Sequence, residues 1–314
     1  MSKISVIGAG SVGATVANDL MLQGVASEIV LVDINRKKAI GEALDIYQAA
    51  PFVSPAIVRP GEYADVAGSD IVVITCGVAR RPGMSRLDLA QTNVNILKDV
   101  AKNVVPVAPN AIYVIVSNPV DILTYVFTKV SGLPERQIMG SGTILDTSRL
   151  QSELARRFCI SPKNVHAHVY GEHGDSSFVP WSLVHIANNH IDAYKDSSPD
   201  KDRIHWDNDY EEVEQFVKKS GAMIIENKGA TFYAVAMSVC HICKAIFADA
   251  GTAMTVSTMM HGEYGIDDVC ISTLHLVDRS GVRGRIMNKL TPEENEKLKL
   301  SADKLKAVIA QIEL

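Results

Sequence analysis

Three short stretches set charge beside a break in regular structure. The first is Gly171-Glu172-His173-Gly174-Asp175, in which two glycines bracket a histidine that has acids on either side. An imidazole titrates near neutral pH, so one with little steric cover can move a proton in either direction. The second is Leu145-Asp146-Thr147-Ser148-Arg149, where helical spacing makes the acid and the arginine neighbours on one face. The third is Gly77-Val78-Ala79-Arg80-Arg81-Pro82-Gly83-Met84-Ser85-Arg86. Its arginines repel one another unless an anion lies between them, and its glycines and proline suit a loop that closes over a ligand. Each stretch alone also has a plain structural reading: a surface histidine, an ion pair within a helix, a charged surface loop.

The element that must position them is the run from Lys3 to Asp33. Ile4-Ser5-Val6-Ile7 is of strand type, Gly8-Ala9-Gly10-Ser11-Val12-Gly13 breaks it, and apolar residues then recur at helical spacing to Leu22. Glu28 to Val32 is a second strand-like run closed by Asp33. Strand, glycine turn, helix and strand together give the glycine pattern its meaning as a dinucleotide fingerprint. Gly8 serves the tight turn, Gly10 lets backbone approach a pyrophosphate, and Gly13 lets helix pack on strand. The diphosphate is expected at the helix start and a ribose at Asp33. A carboxylate there repels a 2′-phosphate, so the expected cofactor is NAD rather than NADP.

From there strands and helices alternate, which predicts a doubly wound, mostly parallel sheet of Rossmann type. Helices are expected over 37–50, 85–105, 121–131 and 145–158, with strands at 57–59, 70–75, 111–117 and 138–140. After about residue 145 the pattern changes to that of an α+β unit. Residues 165–170 read as a strand, 209–227 and 230–248 as helices, and 254–260, 269–276 and the region of Val282 as an antiparallel sheet. Thr291-Pro292-Glu293-Glu294 carries the signals of a last helix start. The expected division is 1–144, binding the cofactor, and 145–314, binding substrate and carrying out the chemistry.

The bulk numbers agree with a globular protein: 47% hydrophobic and 21% charged residues over 314 positions. A net charge of −5 offers no basic field, so no nucleic-acid partner is expected. No apolar run is long enough to span a bilayer, and a strand follows Met1-Ser2-Lys3 directly. The expected location is therefore the cytoplasm, with no membrane partner. The five cysteines lack metal-ligand spacing, and Cys240 and Cys243 read as a buried helix face. No metal is expected.

Taken together, GAGSVGA, RRPGMSRLDL, VSNPVDI, GSGTILDTSRL, YGEHGDSSFVPWS and KGATFYA resemble the lactate/malate dehydrogenase family, in the family's order and over nearly the whole chain. The resemblance implies roles. His173 matches the acid/base that protonates the substrate carbonyl oxygen. Asp146 matches its partner carboxylate, Arg149 the residue gripping the substrate carboxylate, and Arg86 the lid arginine that polarises the carbonyl. Asn118 matches a hydrogen-bonding residue near the reacting centre and Thr231 a small residue lining the pocket. Gly8, Gly10, Val12, Gly13, Asp33, Gly77, Asn93, Ser117 and Asn118 match cofactor-binding positions. His166 and His168 are expected to be structural or to lie on the cofactor side. A homodimer or homotetramer is implied.

Two loop positions depart from the lactate branch. Arg80 stands where that branch usually has glutamine, and Met84 where it commonly has glutamate. The gain of positive charge predicts a dianion, malate/oxaloacetate, with Arg80 binding its second carboxylate; the alternative is lactate/pyruvate, toward which Trp181 and Thr231 point. Gln151 stands where sugar-bisphosphate-activated relatives have an arginine, while His166 keeps the histidine, so weak or absent activation by fructose 1,6-bisphosphate is expected. A non-catalytic NAD-binding protein would not need His173, Asp146 and Arg149, and an epimerase or methyltransferase on this fold would lack the lid arginines.

Overall fold

The computed structural model describes residues 2–78 and 86–313, apart from the side chain of Arg86. In the first half, β1 Lys3–Ile7, β2 Glu28–Val32, β3 Ile57–Gly61, β4 Ile71–Ile74, β5 Ile112–Ile115 and β6 Ile138–Gly140 alternate with helices. These are α1 Ser11–Leu22, α2 Arg36–Tyr47, α3 Arg86–Val104, α4 Val120–Ser131 and α5 Ile144–Arg157. The strands pair in parallel in the order β3-β2-β1-β4-β5-β6. Both faces are buried, and alternate residues serve opposite cores. Val72, Ile74, Tyr113 and Ile115 face a core with Leu97, Phe127, Leu298 and Leu305, whereas Ile71, Val73, Ile112 and Val114 face one with Leu20, Ala43 and Cys240.

The second half holds β7 Val165–His166, β8 His185–Ile186 and β9 Asn189–His190 in a small antiparallel sheet, then α6 Ile191–Ser197, α7 Tyr210–Lys228 and α8 Tyr233–Ala248. It ends with β10 Thr252–His261, β11 Asp267–Asp278, β12 Gly281–Arg285 and α9 Pro292–Ile309. A third core, with Leu150, Phe158, Trp206 and Val217, joins α5 to α7. Thr291 and Glu294 form a reciprocal capping box ahead of α9, with Pro292 at its first turn.

Three expectations change. The helix read to Ala50 ends at Tyr47, and Ala50–Phe52 forms a 3₁₀ turn around Pro51. The strand read over 165–170 forms a ladder only at Val165–His166. Val165, Ala167 and Val169 are all buried, so the period-two pattern is satisfied by extended chain packed on a core, without a continuous ladder. Tyr170 instead pairs singly with Phe178, and Gly171 with Ser272 on β11. Finally, the antiparallel strands extend the parallel sheet, β10 meeting β6 at Ser257 opposite Gly140. That junction brings the ends of β5 and β6 close to the segment carrying His173.

Candidate active site

The glycine turn between β1 and α1 is shaped by close contacts on two sides and open space on the third. A Cβ at Gly13 would lie 1.8 Å from the Gly8 carbonyl oxygen, and one at Gly8, whose φ is +108°, would lie 2.7 Å from the Cys76 nitrogen. At Gly10 a Cβ would meet nothing within 4 Å. That opening faces the start of α1, which has Gly10 as its N-cap and no side-chain cap. Uncapped amides beside a cradle that a single methyl would enter fit the diphosphate of a dinucleotide. Asp33 accepts from the Ala9 N–H at 2.7 Å and from the Asn35 N–H at 2.8 Å. A carboxylate has further lone pairs, so Asp33 can pin the turn and still accept from a ribose.

The proton-transfer group is built from two adjacent parallel strands. β5 and β6 run side by side, and each hands the chain to a helix, α4 or α5. Asp121 lies in the first turn of α4 and Asp146 in the first turn of α5, where the helix dipole favours a negative charge. Both point at the loop carrying His173. Asp146 Oδ2 lies 2.5 Å from His173 Nδ1, and Asp146 Oδ1 accepts from Arg149 Nη1 at 3.0 Å. Asp121 Oδ2 accepts from the backbone N–H of His173 at 2.8 Å. Asp121 is only 2% exposed, whereas the His173 side chain keeps 23% of its surface open.

These contacts set the protonation. The charge of Asp146 raises the His173 imidazole above its ordinary value, overcoming burial. Burial opposes ionisation of Asp146, yet His173 and then Arg149 hold its carboxyl below the usual range. Burial pushes Asp121 up to about 6. His168, by contrast, is pushed down to about 4 by burial and carries no second charge for the site.

The remaining positions occupy the strand ends around this cluster. The Asn93 amide is committed to backbone: Oδ1 accepts from the Val78 N–H at 2.8 Å, and Nδ2 donates to the Asn118 carbonyl at 2.7 Å. It therefore staples the chain after Gly77 to the turn at Asn118, which precedes a cis bond to Pro119. The Ser117 hydroxyl donates to the Cys76 carbonyl. Asn118 is exposed, and Val12 is half-buried at the first turn of α1. Thr231 is half-buried between α7 and α8, next in the chain to Phe232, whose ring centre lies 3.7 Å from the Lys228 ammonium. Arg80, Met84 and the side chain of Arg86 lie outside the described residues. Asp121 is a site residue that the sequence alone does not single out: it lies within VSNPVDI as an acid in a first helical turn, and its partner is remote in the chain.

A dinucleotide cradle at the ends of a doubly wound sheet, beside a carboxylate-supported histidine, defines a pyridine-nucleotide-dependent oxidoreductase. The comparisons specify it. Residues 2–140 match the model of the lactate/malate dehydrogenase NAD binding domain, and residues 143–313 that of the lactate/malate dehydrogenase alpha/beta C-terminal domain. The chain belongs to the lactate/malate dehydrogenase family. It is accordingly an NAD-dependent oxidoreductase acting on a CH–OH group.

Among its relatives, an L-lactate dehydrogenase of Clostridium botulinum (strain Hall) is 47% identical over 306 residues, covering 97% of this chain and 95% of the relative. One of Thermoanaerobacter pseudethanolicus is 44% identical over 317 residues, covering both chains fully. The solved minor L-lactate dehydrogenase of Enterococcus mundtii superposes with a TM-score of 0.94 at 37% identity, covering 100% of this chain and 99% of that one. The L-lactate dehydrogenase of Clostridium thermocellum gives 0.86 at 39% identity, with both chains fully covered.

These findings overturn the expectation of malate/oxaloacetate, because relatives that match end to end are lactate dehydrogenases. The expectation weighed net charge at two loop positions, Arg80 and Met84. Charge at a pocket mouth attracts any carboxylate-bearing substrate, so it does not by itself select a dianion over a monoanion.

Proposed function

We propose that the chain is an L-lactate dehydrogenase, interconverting pyruvate and L-lactate with NAD. The names of its relatives support the substrate, and the 2.5 Å contact of Asp146 with His173 is the observation that carries the chemistry. Bound NADH supplies the hydride for the carbonyl carbon. Because His173 Nδ1 is directed at Asp146, its Nε2–H is the group assigned to protonate the carbonyl oxygen, and it takes the proton back when lactate is oxidised. Asp146 fixes the ring and favours the imidazolium. Arg149 spends one N–H on Asp146 and offers the rest of its planar fork to the substrate carboxylate.

Arg86 is assigned to polarise the carbonyl from the lid. Arg80 and Thr231 are assigned to substrate binding, Thr231 as a small residue of the pocket wall. Gly8, Gly10, Val12, Gly13 and Asp33 hold the cofactor, and Asn93 and Ser117 act by placing Gly77 and Asn118 beside it. The chain divides near residue 144 into a cofactor-binding and a substrate-binding part.

Among the described residues no helix is long and apolar enough to cross a membrane; we assign the enzyme to the cytoplasm. A homodimer or homotetramer is proposed, on exposed apolar residues of α2 and α8 such as Leu44, Tyr47, Tyr233 and Met237. Light scattering reads that assembly directly. For the substrate, kcat/KM measured with NADH should be higher for pyruvate than for oxaloacetate. The reverse order would contradict the proposal.

A further inference from the structure

Asp121 has no part in the chemistry described so far, yet it is the most enclosed charged group beside His173. Its carboxylate is 2% exposed and spends Oδ2 on the backbone N–H of His173 at 2.8 Å. The same loop is held one residue earlier, where the Glu172 N–H donates to Ser301 Oγ on α9 at 2.9 Å. Two successive amides are thus tied to two different helices. Only the tie at His173 carries a charge. A buried carboxylate is costly unless it interacts favourably with its surroundings. Here those surroundings are a first helical turn, the Ser257 hydroxyl, the His173 amide and its imidazole.

We infer that Asp121 is a positioning residue for His173: it fixes the backbone of the proton-transfer loop from α4 and sets a second carboxylate beside that residue. The inference rests on the proposed role of His173. Asp146 and Asp121 then act from opposite ends of the same residue, one on the ring and one on the main chain. Among the described residues, the charged groups that act on His173 are Asp146 and Arg149 from α5 and Asp121 from α4, while Glu172, in its own loop, acts on Asp121. The two helix-borne carboxylates favour the imidazolium, Arg149 opposes it, and burial opposes it as well.

Two variants separate anchoring from charge. Asp121→Asn can still accept from the His173 N–H and lacks only the charge. Asp121→Ala lacks both. Pyruvate reduction requires protonated His173, so its rate falls as pH rises through the imidazole pKa. In Asp121→Asn that falling limb should move to lower pH, with NADH affinity unchanged. In Asp121→Ala, kcat should fall by ~10²-fold, the scale of a misplaced reacting group. A folded Asp121→Asn with the wild-type pH profile overturns the inference, whether or not Asp121→Ala folds. If the wild-type enzyme reduces none of the 2-oxo acids offered with NADH, the role assigned to His173 fails first. An active wild type with an unmoved Asp121→Asn profile sinks only the inference about Asp121.

Discussion

His173 Nδ1 and Asp146 Oδ2 lie 2.5 Å apart, and the other oxygen of the same carboxylate is held by Arg149. One buried acid therefore orients the group proposed to move the proton and the group proposed to bind the substrate. A change at Asp146 should disturb both functions together. A change at either partner should disturb mainly one.

Asp146→Asn tests the ring side of this arrangement. The Asp146 charge is the main cause raising the His173 pKa. With that charge removed, the pKa falls and less imidazolium is present at neutral pH. The falling limb of pyruvate reduction and the rising limb of lactate oxidation should both move to lower pH. In the reducing direction kcat should drop by ~10²-fold or more, in the range of general acid catalysis. Unshifted limbs would show that another group sets the ionisation.

Arg149→Lys tests the other side. A lysine keeps the positive charge and loses the planar fork, so a two-pronged grip on a carboxylate becomes a single contact. The KM for pyruvate should rise by about 10- to 100-fold, the equivalent of a lost charge-assisted hydrogen bond. Steady-state kinetics with saturating NADH read this. An unchanged KM would leave Arg149 as an ion-pair partner of Asp146 only.

The glycine turn yields a paired prediction because its two positions fail for different reasons. In Gly13→Ala the new methyl meets the Gly8 carbonyl oxygen, so the free protein should lose about 1–3 kcal/mol and melt earlier. In Gly10→Ala the methyl enters open space and the backbone already has φ −71°, so the melting temperature should hold. NAD should nonetheless bind that variant about tenfold more weakly, because the methyl enters the cradle. Equal NAD affinity in Gly10→Ala and the wild type would move the diphosphate away from this turn.

Regulation by a sugar bisphosphate is predicted to be weak or absent. Gln151 donates to the Ala167 carbonyl at 3.1 Å, so this position supplies a neutral amide engaged with backbone. Adding fructose 1,6-bisphosphate should leave the KM for pyruvate unchanged. A large drop would require another cation at the activator site.

The sequence exposes the parallel half of the fold well, because the central strands are near-continuous apolar runs, and β1, β4, β5 and β6 are each followed or ended by a glycine or proline turn. The loop of His173 is legible for a similar reason: glycines beside charges are conspicuous. Pairing between distant segments is not legible, so nothing local reveals that β10 joins β6 at Ser257 and Gly140. Nor does local pattern separate a paired strand from extended chain lying on a core, as at 167–169. Asp121 escapes notice because an acid in a first helical turn is ordinary, and only the approach of a remote loop gives it a partner. The substrate is not legible from Arg80 and Met84, because a gained positive charge and a missing negative one describe the field of a loop and not the shape of the pocket.

The most direct test compares pyruvate reduction by the wild type and His173→Asn, with NADH affinity measured on both. The account predicts a ~10²- to 10⁴-fold loss of kcat/KM in the variant, with NADH binding unchanged. A variant that reduces pyruvate within a few-fold of the wild-type rate would contradict it.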